Sequence, residues 1–203
     1  MKKVILVAAI ICSQFSFGQK TKGITDEKVK ELYNSIPKVD GHYEYSAVVQ
    51  LDSNYKKDIV YRNSKLVFAN TFKSAKCVLQ YDNGGKGKVI GKGNFNTVGL
   101  EDNLLVSYYA KWRVNFNFEL FSKDGKYSYR LYNINIESNA ITTGGDSPSN
   151  IDSQLSIDDA FYQTQKSATR EMYRKMFSEV IDNINRTISE IKFYMAKKQA
   201  LSI

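Results

Sequence analysis

The side chains able to do chemistry in this chain are few, and their spacing suits little of it. His42 is the single histidine in 203 residues, and the cysteines are Cys12 and Cys77. A cysteine nucleophile needs a base within hydrogen-bond reach, and His42 is the one imidazole on offer. Cys77, inside the strand-like run Lys76-Cys77-Val78, therefore reads as a structural thiol. A zinc site collects several His, Cys or carboxylate ligands from one molecule, and His42 with Cys77 is too small a set. Asp146 and Asp152 do not reproduce the ligand spacing of a calcium loop. A Ser-His-Asp triad would use His42, but no Gly-x-Ser-x-Gly elbow is present. The carboxylate pairs Glu101-Asp102 and Asp158-Asp159 read as loop and helix-start charges, not as two acids flanking a substrate. The stretch Asn83-Gly84-Gly85-Lys86-Gly87-Lys88 lacks the spacing of a phosphate loop, and a strand follows it where such a loop needs a helix N-terminus. It reads as a hairpin turn, with Gly91 and Gly93 allowing close backbone approach in the next strand. No catalytic, cofactor-binding or metal-ligating residue is assigned, and the chain is not read as an enzyme.

Residues 1–18 have the pattern of an export signal. Lys2 and Lys3 precede the apolar run Val4–Cys12, too short to span a bilayer as a mature helix. Ser16-Phe17-Gly18 offers small residues at the positions a signal peptidase reads, so cleavage is expected between Gly18 and Gln19. Ile11 before Cys12 is too bulky for a lipoprotein signal. The full chain holds 29 basic and 21 acidic residues; without Lys2 and Lys3 the balance is 27 against 21, or +6. The basic residues are scattered, as on a solvated surface. After cleavage only Cys77 remains, so an exported domain would stand without an internal disulfide, on its core alone.

Periodicity then places the elements. Tyr43, Tyr45, Ala47, Val49 and Leu51 alternate along one strand. A helix near 56–72 opens after the cap-forming types Asp52-Ser53-Asn54 and gathers Ile59, Val60, Leu66, Val67, Phe68 and Phe72 on one face. Lys73–Asp82 and Lys88–Phe95 read as the next two strands. Residues 96–111 read as irregular. Along 111–121, Trp112, Val114, Phe116, Phe118 and Leu120 point one way, while Lys111, Arg113, Asn115, Asn117 and Glu119 point the other. One buried and one wet side is the signature of an antiparallel sheet covered on a single face. Lys123-Asp124-Gly125 supplies a hairpin turn. The returning strand, 126–137, changes face near Leu131, which predicts a bulge or bend there.

The flanks are simpler. Residues 19–41 form a polar lead-in with a helix from Asp26 to Ser35, stopped by Pro37. The main domain covers 42–140, and 141–155 is a linker by composition. Residues 156–199 form a C-terminal helix or helical pair, started by Ser156 with Asp159. Its apolar stripe runs through Ala168, Met172, Met176, Val180, Ile184, Ile188, Ile191 and Met195. One uninterrupted rod would reach about 60 Å, so the region either breaks in two or projects toward a partner.

The motifs Tyr43-Glu44-Tyr45-Ser46, Phe72-Lys73-Ser74-Ala75-Lys76, Val89-Ile90-Gly91-Lys92-Gly93 and Phe121-Ser122-Lys123-Asp124-Gly125-Lys126-Tyr127-Ser128-Tyr129-Arg130 come in an order that resembles a bacterial family of unknown function, DUF4468, over roughly residues 43–137. Cys77 departs from the polar residue more usual in that family, and 96–111 do not align. The resemblance implies an α+β fold like that of the TATA-binding protein: a curved antiparallel sheet with one helix packed on one face, here followed by a long C-terminal helical region. It also implies an exported bacterial protein, and no activity. Nucleic acid is not expected as a partner: the namesake fold kinks DNA with phenylalanine wedges, none is identifiable on the wet face here, and fold analogy is not function.

These readings point to a non-catalytic envelope protein, periplasmic or secreted, that acts as a binding module through its open sheet face or its C-terminal helix. Lys111, Arg113, Asn115 and Asn117, with Trp112 and Phe116, are the expected contact residues. Partners of three kinds remain open: an envelope protein, a glycan suited to the tyrosine-rich surface, or a small hydrophobic molecule. The last would make the protein a carrier, with Trp112, Phe116, Phe118 and Phe68 lining a cavity between helix and sheet. Homo-oligomerisation through the C-terminal helix is also left open. No cofactor is expected, and no transmembrane segment after cleavage.

Overall fold

Long alternating runs in the middle of the chain become long strands, and the helices on either side gather over one of their faces. The computed structural model describes residues 23–71, 78–102, 107–143, 154–166 and 170–197. In chain order the elements are α1 (Asp26–Asn34), β1 (Lys38–Val39), β2 (His42–Tyr43), β3 (Tyr45–Gln50), α2 (Lys57–Thr71), β4 (Val78–Asn83), β5 (Lys88–Asp102), β6 (Ser107–Lys123), β7 (Lys126–Thr143), β8 (Gln154–Leu155), α3 (Ile157–Lys166) and α4 (Arg170–Met195). β1 and β2 make a small ribbon closed by Asp40 (φ 50°) and Gly41 (φ 80°), the Asp-Gly pair that a two-residue hairpin with positive φ favours. The remaining strands form one antiparallel sheet in the order β3-β7-β6-β5-β4, with β8 pairing the far part of β7. The architecture is α+β.

β6 alternates as its sequence demands. Trp112, Val114, Phe116, Phe118 and Leu120 are buried on one face. β7 contributes Tyr127, Tyr129 and Leu131 to that face, then changes phase. Its register against β6 passes from Asn117↔Tyr132 to Asn115↔Asn135, so Asn133 and Ile134 together stand opposite Phe116. Asn133 takes φ 53°, a left-handed conformation that asparagine tolerates better than most residues. This bulge is the change of face expected near Leu131, and it returns Ile136 to the core.

Several expectations need correction. Residues 96–111 are not irregular where described: β5 runs to Asp102 and β6 begins at Ser107, in continuous register from Lys88↔Phe121 to Asp102↔Ser107. Glycine at 99 and mixed polarity around it hid that strand. β7 extends to Thr143, inside the expected linker; 144–153 lie outside the described residues, as do 72–77. The sheet carries more than one helix. α2 and α4 pack side by side on the same face, and α1 and α3 join α4. The C-terminal region is therefore a pair of helices laid along the sheet, not a projecting rod. Met172, Met176, Val180, Ile184, Ile188, Ile191 and Met195 are all buried there. The stripe is thus used inside the molecule, while Phe193 of α4 stays 61% exposed; Ala168 lies outside the described residues.

Long-range polar contacts hold this helical layer. The N-terminus of α2 is not capped by Asp52, whose carboxylate accepts the Asn54 N–H instead (3.1 Å). Asp124, from the β6–β7 turn, accepts the Lys57 N–H at 2.6 Å, and Gly125 in the same turn has φ 65°. At the far end of α4, buried Asn63 of α2 donates to the carbonyls of Met195 and Lys197, both at 2.9 Å, and Tyr55 donates to that of Ala196 at 2.6 Å. Side chains thus satisfy carbonyls that the helix end leaves open. Ser156 and Asp159 bond reciprocally at the start of α3, as a capping box does. Buried Arg174 of α4 binds Asp26 of α1, Glu171 (2.6 Å) and the Thr164 carbonyl of α3 (3.3 Å).

A second polar knot predicts a pH response. Tyr33 of α1 donates to Asp158 at 2.5 Å, and Tyr43 of β2 donates to the same oxygen. Hydrogen bonds from Tyr33 and Tyr43 hold the Asp158 carboxyl below its usual range. A depressed carboxylate stabilises the fold above its unfolded value, about 3.9, and that contribution is lost as pH falls further. Urea midpoints measured at pH 7 and near pH 3 are expected to drop more for the wild type than for the Tyr33→Phe/Tyr43→Phe pair. Equal drops would show that the carboxylate gains nothing from these hydroxyls.

Candidate binding face of the sheet

The helices leave the other face of β5–β6–β7 uncovered. Successive side chains of a strand point to opposite faces, so burying Trp112, Val114, Phe116 and Phe118 forces Lys111, Arg113, Asn115 and Asn117 outward. Cross-strand pairing brings matching residues beside them: Lys92 and Asn94 of β5 stand opposite Asn117 and Asn115, and Tyr132, Asn135 and Glu137 of β7 stand opposite Asn117, Asn115 and Arg113.

At the bulge this face holds a shallow depression of about 530 Å³, lined by Lys92, Asn94, Asn115, Asn117, Asn133, Asn135 and Glu137 and bordered by Gly93 and Phe116. The Asn115 amide donates to the Asn135 side-chain oxygen at 3.2 Å. Among the described residues, the side-chain amides of Asn94, Asn117 and Asn133 meet no protein partner. The charges around the depression are largely spoken for. Arg130 grips the buried Glu44 with two bonds, at 2.9 and 2.6 Å, and that guanidinium holds the Glu44 carboxyl below its ordinary range. Lys88 pairs with Glu119 at 3.0 Å.

The six contact residues expected from sequence divide between the two faces. Lys111, Arg113, Asn115 and Asn117 lie on the open face, and the two asparagines line the depression. Trp112 and Phe116 are 1% and 3% exposed on the helix-covered face; Phe116 reaches the depression only at its border. The residues proposed to line a carrier cavity are packing. Phe68 and Phe118 rings meet at 5.2 Å, Phe95 and Phe116 at 6.0 Å, and Trp112 and Tyr173 at 5.8 Å between centroids. These contacts place Phe68, Trp112, Phe116 and Phe118 in the packing between the helices and the sheet.

Sequence reasoning missed Lys92, Asn94, Asn133, Asn135 and Glu137. A usable signal was present: asparagine recurs at alternate positions in three neighbouring strands (94 and 96, 115 and 117, 133 and 135), although it is depleted from strands in general. His42 sits exposed in β2, and Cys77 lies outside the described residues. Asp158 and Asp159 serve at the start of α3. The glycine-rich segment is a turn: Gly87 has φ 68°, and a Cβ there would stand 2.4 Å from the Ser122 carbonyl oxygen. Among the described residues, no group of three His, Cys, Asp or Glu is placed to hold a metal ion, and no helix is long and apolar enough to cross a membrane.

Comparison with known proteins agrees with this architecture. Residues 45–137 match the family model described as a domain of unknown function (DUF4468) with TBP-like fold. The structure is similar to that of a DUF4468 family protein from Bacteroides ovatus ATCC 8483, with a TM-score of 0.59 and 15% identity over 80% of this chain and 91% of that one. A TBP-like protein from Parabacteroides distasonis ATCC 8503 gives a TM-score of 0.49 and 13% identity over 77% of this chain and 97% of that one. At 15% identity the first likeness shows the fold alone. No curated protein matches the chain.

Proposed function

Residues 45–137 of this chain are a DUF4468 domain with a TBP-like fold, and from that premise we infer an exported binding module of the bacterial envelope that engages its partner on the open face of β5–β6–β7. The observation that carries the reading is the asymmetry of the sheet. Helices pack on one face, whereas the other keeps a polar depression in which, among the described residues, the side-chain amides of Asn94, Asn117 and Asn133 have no partner. Buried side chains explain themselves as packing; an array of strand asparagines facing solvent does not, because β-branched and aromatic residues suit a strand better. The bulge at Asn133 supports the same reading, since bulges re-aim side chains beside binding sites. Export rests on Lys2, Lys3 and the apolar run that follows, with a mature N-terminus expected at Gln19.

Photocrosslinking in the native envelope tests both parts. A photoreactive residue at position 113 or 117 is expected to capture a partner, while one at exposed Ser189 on α4 captures none. N-terminal sequencing of the envelope form is expected to begin at Gln19. Equal labelling from both faces, or recovery of the uncleaved chain from the cytoplasm, would defeat the proposal.

A further inference from the structure

We propose that the depression between β5, β6 and β7 binds a neutral oligosaccharide. This assignment rests on the open-face reading above and adds the class of ligand. It follows from what the lining can and cannot recognise.

Each asparagine amide carries a donor and an acceptor with no net charge. A sugar hydroxyl likewise donates and accepts. Asn94, Asn115 and Asn135 lie in one row across three strands, about 5 Å apart per strand, and Asn117 lies two residues along β6. A ligand with hydroxyls repeating at every few ångströms in two directions can satisfy such a grid; a single small polar group cannot. Tyr132, opposite Asn117, brings an aromatic ring to the same patch, where sugar C–H faces pack well. Its ring already receives Arg130, with the guanidinium 4.9 Å from the centroid, which fixes its position.

Other ligand classes fit worse. An anion would select a cluster of cations, but Lys92 is the sole cation lining the depression and Glu137 offsets it. A peptide added as a strand needs a free backbone edge, whereas β6 is paired on both sides, to β5 and to β7. A lipid would need apolar side chains in the lining; Phe116 keeps its ring on the covered face, 3% exposed.

The test is an NMR titration of the 15N-labelled protein with maltohexaose, cellohexaose, mannohexaose and xylohexaose, and with hexagalacturonate as the anionic control. At least one neutral hexaose is expected to shift the side-chain amides of Asn94, Asn115, Asn117 and Asn135, with a Kd of about 1 mM or tighter. Hexagalacturonate is not. Asn94→Asp and Asn117→Asp keep the shape of the side chain and remove its donor; each is expected to weaken binding about tenfold with an unchanged melting temperature. Asn94→Ala and Asn117→Ala serve as second variants should the added charge disturb the sheet. If no neutral hexaose moves these amides, if the variants bind as tightly as the wild type, or if hexagalacturonate binds better, the assignment is wrong. A silent titration together with face-specific crosslinks to a protein would overturn the carbohydrate assignment and leave the binding-face reading intact. Silence in both experiments removes both.

Discussion

Trp112→Ala is expected to destabilise the protein by about 3–5 kcal/mol, a large share of the roughly 5–15 kcal/mol that keeps an ordinary domain folded. Trp112 is 1% exposed. It projects from the centre of β6 toward α4, with Tyr173 of that helix 5.8 Å away between ring centroids. Truncation removes the largest buried side chain of the sheet and leaves a void that α4 cannot fill without sliding, because Asn63 and Tyr55 hold its C-terminal end and Arg174 holds its beginning. Urea unfolding followed by circular dichroism checks the value; a loss under about 1 kcal/mol would mean that the indole is not core. In the wild type, Trp112 is the single tryptophan, so its fluorescence reports this packing directly. Emission should shift to the red on unfolding and stay unchanged when a ligand occupies the open face. A ligand-induced shift would return Trp112 to the list of contact residues.

The elements that were legible in the sequence are those whose own side chains decide them. β6 was readable because five apolar residues alternate with five polar ones without interruption, and α2 because its stripe repeats at helical spacing. Even the change of face in β7 was visible as a break in alternation after Leu131. What escaped was decided by partners far away in sequence. The cap of α2 comes from Asp124, and no local pattern announces a donor–acceptor pair separated by a whole sheet. The extension of β5 through Asn96, Thr97, Val98 and Gly99 depends on pairing with Arg113–Ala110 of β6; alone, those residues look like loop. The resting place of α4 was likewise unreadable, since an apolar stripe states that a helix needs a surface and does not state whose.

The candidate site was half legible for the same reason. Asn115 and Asn117 belong to the clean alternation of β6, so their outward direction followed at once. Asn94, Asn133 and Asn135 become neighbours of these two only through register. The bulge that places Asn133 beside the depression shifts that register within β7, so no fixed spacing along the chain leads from one asparagine to the next. Trp112 and Phe116 show the opposite error: adjacency in sequence suggested adjacency in a site, while the pleat sends neighbouring residues to opposite faces.

Gly99→Val is expected to cost about 3 kcal/mol by overpacking, with Gly99→Ala in the same direction and smaller. Gly99 lies on the covered face of β5, opposite Ala110, where α4 comes close to the sheet. A Cβ there would stand 2.6 Å from Met172 Cγ, 2.6 Å from Trp112 Cζ3 and 2.8 Å from the Met172 carbonyl oxygen. The methionine side chain can move aside. The indole is enclosed, and the carbonyl belongs to the helix backbone, so α4 itself must lift. Lifting α4 would pull Glu179 from the Thr97 hydroxyl and from the Val98 N–H it accepts at 3.2 Å. Two comparisons isolate this cause. In a Met172→Ala background the penalty for Gly99→Ala should shrink by about 1 kcal/mol, because one of the three clashes is gone; strict additivity would show that the Met172 side chain yields freely and that the indole and the helix backbone carry the penalty. Since Gly99 faces away from the depression, any folded fraction of Gly99→Ala should bind an oligosaccharide as the wild type does, whereas Asn117→Asp should melt as the wild type does and bind less. That crossed pattern separates residues that seat α4 from residues that meet a ligand; a loss of binding in Gly99→Ala that tracks its loss of stability would mean that the two faces of the sheet are not independent.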